Sequence, residues 1–270
     1  LLGELKDPSS IEPMTNAIEM SASESDVRQM NREIATALAN TGDVKVAGTL
    51  LKLMKTKDNY TVIDAIEGLG TLRAKEAVEP LMELATSDST EPFITKKAIQ
   101  ALGNIGDPKA VPALTKMMFR ERKGISFYME SSFALYQIGP VAGDAMLEVL
   151  GNQNKELTQW AEANNILAPA LHAKAAQVLG DLHDKRAEKL LIEKLGYNNE
   201  MMDIKLFVRM RMADALGRMR SKEGAKALAG MLDEEEANTR NEYIRALVKI
   251  GSHDAVPAML KAAGKGSWDA

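Results

Sequence analysis

The residues best suited to acid–base or metal chemistry are three histidines, His172, His183 and His253, and none stands at a spacing that such chemistry uses. No His is followed by Glu, and no HExxH, CxxC, phosphate-loop or GxSxG arrangement occurs. The chain has no Cys, which excludes disulfides, thiolate catalysis and Cys-ligated zinc. His183 and His253 fall in turns between predicted helices and read as surface turn residues. A second feature is an Arg-rich stretch in which Lys205, Arg209, Arg211, Arg218, Arg220 and Lys222 stand against Asp214 alone. Such a group grips an acidic peptide or phosphate groups, or its long side chains cover apolar surface and pair with acids of neighbouring helices. The second reading is the simpler. A third feature is a recurring acid. Asp7, Asp43, Asp107 and Asp184, joined by Ser221, each precede an apolar run. They read as helix caps, which accept bonds from the free N–H groups of a first turn. A shared metal would need them together, whereas helices packed side by side hold equivalent residues about 10 Å apart. No cofactor is implied.

The elements that carry these residues must be many and alike. Aromatics are only 4% of the 270 residues, so burial rests on aliphatic side chains and on 16 Met, a composition suited to many similar helix contacts. The net charge of −4 and pI of about 5.6 argue against a general nucleic-acid binder, which would show a basic stripe. No window approaches 18 apolar residues in a row, so no membrane-spanning helix is predicted. The sequence opens at Leu1, inside a repeat. The expectation is a segment or mature form of a longer chain, cytoplasmic, or periplasmic or exported if a signal has been removed.

A phrase recurs along the chain: Leu or Ile, then Gly, a short polar turn, and an Ala-Val pair opening an apolar run. Its clearest copy is Ala101 to Leu114, ALGNIGDPKAVPAL. Eight marker positions follow from it, at 3, 39, 70, 103, 139, 180, 217 and 251, with Ala39 the one that is not Gly. The marker Gly is read as the residue just past a helix, where the backbone turns left-handed. Apolar residues then recur 8, 11, 12 and 15 after the marker, as at Ala47, Leu50, Leu51 and Met54, with Thr115 and Glu188 among the exceptions, a helical spacing with no sustained period of two. First helices are predicted near 26–39, 59–69, 93–105, 126–138, 170–181, 203–217 and 238–250. Second helices are predicted near 8–20, 43–55, 74–86, 107–119, 141–150, 184–196, 221–232 and 253–263. One such pair cannot bury both its faces, so successive pairs must stack.

The turn at Leu102 to Val111, and again at Leu2 to Ile11, resembles that of HEAT-like repeats of the phycobilisome-lyase type. The resemblance spans nearly the whole chain and implies an all-α fold, a right-handed α-α superhelix of about seven to eight repeats, over 1–270 as a single array. It also implies that second helices line the concave face, where partners bind. HEAT-like di-iron hydroxylases need repeated His-Glu pairs, which are missing. A bilin lyase-like subunit holding a tetrapyrrole and its apoprotein is the sharpest enzyme alternative. A HEAT-like DNA glycosylase would want a basic concave face. Tetratricopeptide repeats fit the mean spacing but not the residues.

The array departs from its rule at 151–169, an inter-repeat insertion with Trp160, which anchors a partner or packs the insertion against its own helices. Two further loops, Phe119 to Gly124 and Gly196 to Met202, read as solvated connections. Charge is uneven, with five acids and no base from Glu76 to Glu91, four bases from Lys116 to Lys123, and four acids from Asp233 to Glu236. The position 13 after the marker holds Lys52, Glu83, Lys116, Glu193 and Gly230, mixed in sign. A mixed face fits a protein or peptide partner better than a polyanion. The reading is a non-enzymatic scaffold, or a subunit of a larger assembly. Its candidate contacts are Lys52, Glu83, Lys116, Arg120, Trp160, Glu193, Arg209 and Arg211.

Overall fold

A computed structural model describes residues 8–20, 24–233 and 236–263. The marker at Gly3, the cap expected at Asp7, two acids of the 233–236 run and the stretch 264–270 lie outside the described residues. Among the described residues the chain is all-α apart from one short hairpin, and its contacts gather into two units, Leu1–Ile138 and Gly139–Ala270.

Unit 1 runs through α1 (Ile11–Asn16), α2 (Ser25–Asn40), α3 (Ala47–Leu53), α4 (Asn59–Thr71), α5 (Val78–Thr86), α6 (Pro92–Ile105), α7 (Val111–Met117) and α8 (Tyr128–Ile138). Its first helices α2, α4, α6 and α8 pack in series, and α3, α5 and α7 each pack on the first helix that follows. Leu38, Leu50, Leu69, Leu81, Ile99, Leu102 and Leu114 are fully buried between them. Each such side chain contributes about 1.5–3 kcal/mol through removal from water.

Unit 2 runs through α9 (Pro140–Leu150), α10 (Lys155–Ala163), α11 (Ala168–Asp181), α12 (Glu188–Leu195), α13 (Met202–Arg218), α14 (Lys222–Met231), α15 (Ala237–Ile250) and α16 (Val256–Ala263). Here α11, α13 and α15 pack in series, with α9 on α11, α12 on α13 and α14 on α15. The predicted first helices agree with the observed ones to within two residues at every end. The second helices mostly open with a 3-10 turn, as at Val44–Val46, Lys75–Ala77, Pro108–Ala110, Lys185–Ala187 and His253–Ala255. Caps fall where the sequence places them. Asp43 accepts from the Lys45 N–H at 2.9 Å, Asp107 from Lys109 at 2.9 Å, Asp184 from Arg186 at 3.1 Å and Ser221 from Gly224 at 2.7 Å.

The reason assigned to the marker Gly is corrected. Gly70, Gly103, Gly180 and Gly217 lie inside their helices, not past them. They are small because the next first helix comes too close for a side chain. A Cβ on Gly103 would meet the Ala134 Cα at 2.7 Å, and one on Gly180 would meet the Ala215 Cα at 2.9 Å. Gly70 faces Ala101 and Gly217 faces Ala246 in the same way, with a Cβ at 3.0 Å from the opposing Cα in each case. Where the marker is Ala39, the opposing residue is Gly68, whose Cβ would meet that of Ala39 at 3.0 Å. The pair is kept and its members exchanged.

The left-handed residue lies three positions later, at Gly106, with φ 74°. Its counterparts are Gly139 at φ 84° and Gly251 at φ 73°, each directly past a helix. Two of the eight markers were therefore read three residues late. The residues equivalent to Gly103 are Tyr136 and Val248.

The loop at 119–124 is also corrected. It is not a free connection but a two-residue antiparallel hairpin, β1 (Glu121–Arg122) against β2 (Ile125–Ser126). Lys123 and Gly124 turn it with φ 52° and 72°, the positive pair that a tight hairpin of this type requires. Arg122 reaches back over the preceding loop. It donates to the Thr90 carbonyl at 3.0 Å, to Thr95 Oγ1 at 2.5 Å and to the Ser87 carbonyl, and its guanidinium lies 4.9 Å from the Phe127 ring centroid.

Candidate partner-binding face

Neighbouring first helices are laced by polar pairs on the side away from the core. In unit 1, Lys97 of α6 pairs with Glu67 of α4, Lys96 of α6 with Glu130 of α8 at 2.8 Å, and Gln137 donates to Asn104 at 2.9 Å. In unit 2, Arg218 bridges Asp181 and Asp214, and Lys249 meets Asp214 at 2.5 Å. Burial pushes the Asp214 carboxyl up, but the bonds from Lys249 and Arg218 outweigh it and the net shift is downward. Asp58, the cap of α4, behaves alike: burial raises it, while bonds from Thr61 and the charge of Arg32 bring it below its ordinary value. Asp64 on α4 is raised, by burial first and then by Glu67.

Among these polar pairs stand large apolar side chains in water. Tyr60 on α4 is 65% exposed and Phe93 on α6 is 62% exposed. Each lies under a cation, with Arg32 5.2 Å from the Tyr60 centroid and Lys97 6.0 Å from that of Phe93. On α8 the exposure is densest: Met129 at 71%, Phe133 at 57% and Tyr136 at 46%. The Phe133 and Tyr136 rings stack with centroids 6.2 Å apart. Isolated exposed apolar residues are common on any surface, but here they recur on successive first helices of one unit.

The residues proposed from the sequence are placed differently. Lys52, Glu83 and Glu193 are exposed on α3, α5 and α12, and Lys116 on α7 is half-buried. Lys52, Glu83 and Lys116 occupy the same register on three successive second helices of unit 1. Arg120 is paired with Asp88 at 2.5 Å, and Lys123 with Glu91 at 3.1 Å. The basic loop and the acidic stretch that looked like separate patches therefore meet and neutralise each other. In unit 2, Arg209 donates to the Tyr197 carbonyl at 2.8 Å, and Arg211 lies 5.4 Å from the Phe207 centroid. Trp160 on α10 is half-buried, beside the buried Leu157 and Ala161.

The insertion is held by a histidine. His172 of α11 is buried, and its Nε2 lies 2.6 Å from Asn152 Oδ1, where it donates. Burial, helped by the charge of Lys194, lowers its pKa to about 4, so the ring is neutral at ordinary pH. Among the described residues no group of three His, Asp or Glu could hold a metal ion, and no helix is long and apolar enough to cross a membrane.

The aromatic face was missed in the sequence. Its signal is visible once the register is corrected: Tyr60 and Phe93 each stand ten residues before their marker, on an otherwise polar helix face, and Tyr136 takes the place of a marker Gly.

With this geometry in view, residues 63–124 and 207–270 match the family of HEAT repeats. No curated protein matches the sequence. Among solved structures, the chain is similar to human deoxyhypusine hydroxylase in complex with glycerol, at 19% identity over 93% of this chain and 87% of that one, with a TM-score of 0.37. It is also similar to the complex of CpcE and CpcF of phycocyanin lyase from Nostoc, at 20% identity over 92% and 86%, with a TM-score of 0.42. An engineered protein matches at 17% identity over 90% and 96%, with a TM-score of 0.31. At these scores the likenesses carry no argument about activity or partner.

Proposed function

We propose that this chain, whose residues 63–124 and 207–270 are HEAT repeats, is a non-enzymatic interaction scaffold or adaptor subunit that holds a protein or peptide partner. One observation carries the reading: Tyr60, Phe93, Met129, Phe133 and Tyr136 stand largely in water on successive first helices of unit 1. Large aromatics are costly to leave exposed and are the side chains that anchor protein interfaces. Around them Lys97, Glu67 and Arg32 are already engaged by ion pairs or rings, so a polar rim is in place. The titratable groups with shifted pKa values serve structure, as Asp58 and Asp184 cap helices, Asp214 ties α13 to α15 and His172 pins a loop.

The polar row of second helices, Lys52, Glu83 and Lys116 with Glu193 in unit 2, is a second proposed contact, as are Trp160, Arg120, Arg209 and Arg211. The test is affinity capture from the native source with the parent chain, a Phe93→Asp/Phe133→Asp variant and a Lys52→Glu/Lys116→Glu variant. A stoichiometric partner lost only with the first variant supports the aromatic face. Loss only with the second moves the contact to the second helices. A tetrapyrrole bound to the purified chain, or turnover by it, would overturn the non-enzymatic reading.

A further inference from the structure

The turns that follow the first helices of unit 1 are alike in backbone and unlike in side chain. Three residues past their markers, the turns after α2, α4 and α6 go left-handed, at Gly42 with φ 73°, Arg73 with φ 52° and Gly106 with φ 74°. Gly takes this conformation freely, whereas a side chain resists it. A cation is favoured near the carbonyl end of a helix, but α2 and α6 end with Gly at the same place. The helix end alone does not call for Arg73.

Arg73 stands at the edge of an open cleft of about 520 Å³ at the ends of α4 and α6. Every residue that lines this cleft belongs to unit 1, and Arg73 is the one charged group among them. Gly70 and Gly103 leave the space that side chains would fill. Gln137 lies at the far side and donates to Asn104 Oδ1 at 2.9 Å. That bond turns the amide nitrogen of Asn104 toward α4, where it lies 3.5 Å from the place of a Cβ on Gly70. Among the described residues, neither the Asn104 amide N–H groups nor the Arg73 guanidinium has an acceptor.

We infer that this cleft is a site for a carboxylate group of a peptide; the peptide rests on the scaffold reading, and the carboxylate names its chemistry. A guanidinium presents paired N–H groups that match the two oxygens of a carboxylate. The Asn104 amide adds a neutral donor from the neighbouring helix. One negative charge answers the one cation, and the lining holds no acid to repel it. A phosphate carries nearly twice that charge and would face the carbonyl ends of α4 and α6 with a single cation to offset it. The carboxylate comes from a chain terminus or from an Asp or Glu side chain.

NMR of the Asn104 side-chain amide and of the Thr71 and Gly106 backbone N–H groups reads the cleft. Four probes are added at matched ionic strength. N-acetylglycine carries a terminal carboxylate, and the methylamide of N-acetylglutamate carries a side-chain one. The methylamide of N-acetylglutamine carries none, and inorganic phosphate is the fourth. The expected result is a saturable shift with the carboxylates and none with the glutamine compound, the tighter carboxylate identifying the source. Arg73→Gly should weaken binding at least about tenfold, yet melt no lower than the parent because Gly accepts the turn. Asn104→Asp keeps the acceptor for Gln137 but sets a negative charge in the cleft, and should weaken binding as much. No saturable shift in the parent overturns the site. So does an equal shift with the glutamine compound, tighter saturation by phosphate, or binding that survives Arg73→Gly. Native-source capture separates this from the scaffold reading. A partner captured while the probes fail leaves the scaffold standing without the cleft. Carboxylate binding lost in Arg73→Gly, with no partner captured, keeps the cleft and removes the scaffold.

Discussion

The two flanks of α8 are built from residues two positions apart and have opposite fates. Ala134 lies against Gly103 so closely that a Cβ on that Gly would meet Ala134 Cα at 2.7 Å. Tyr136, on the other flank, is 46% exposed, next to Phe133 and Met129. The first flank is packed against a neighbouring helix, and the second carries exposed apolar side chains. In this fold, then, a small residue at one register position accompanies a packed helix side and a large one accompanies an exposed side. Gly103, Gly180 and Gly217 admit a neighbour, and Tyr136 stands where such a Gly would be.

The closed side can be broken first. Gly103→Val places three extra carbons against Ala134 and Gln137. It should cost about 3 kcal/mol in a urea unfolding experiment, at the upper end for overpacking. Closed surfaces also hold polar groups, and His172 is the test case. Its folded pKa of about 4 lies below the ordinary 6.5. The unfolded state therefore binds more protons between these values, so the stabilising contribution is present above pH 6.5 and is lost as pH falls toward 4. Between pH 7 and pH 4.5 the parent should lose about 2 kcal/mol more stability than His172→Gln. A parallel loss in both would remove His172 from the account.

The hairpin gives a comparison of the same kind within six residues. Arg122 is spread over four acceptors, the Ala85, Ser87 and Thr90 carbonyls and the Thr95 hydroxyl, whereas Lys123 reaches Glu91 and is largely in water. Arg122→Met should cost about 2 kcal/mol, and Lys123→Ala less than about 0.5 kcal/mol. The smallest effect sharpens the rule most. Gly68→Ala should cost about 1 kcal/mol, because its Cβ would press on Ala39 and Leu50. Adding Ala39→Gly should recover much of it, and a coupling of zero in the double-mutant cycle would show that the pair is not what sets the approach.

Much of this was legible in the sequence because it is local. Helix ends follow from apolar spacing and from caps such as Asp107, whose bond partner is two residues away. The register of the repeat was harder. In ALGNIG two Gly residues sit three apart and do different work, Gly103 for close approach and Gly106 for the left-handed turn. In ALYQIG and ALVKIG only the second survives, so Gly139 and Gly251 read as the first, and no local signal sets Tyr136 apart. The charged loops were misread for a different reason. Arg120 and Lys123 find their acids 32 residues upstream, at Asp88 and Glu91, and no local pattern announces a pairing across a whole repeat. Seven of the eight candidate contacts are charged residues read from the same local view, and Trp160 is read from the insertion.

The division between a closed and an open flank is tested most directly by paired urea melts of Gly103→Val and Tyr136→Asp. The account predicts that the first variant loses about 3 kcal/mol while the second stays within about 0.5 kcal/mol of the parent. A Tyr136→Asp protein as unstable as Gly103→Val would mean that this side of α8 is interior, and the open face would not exist.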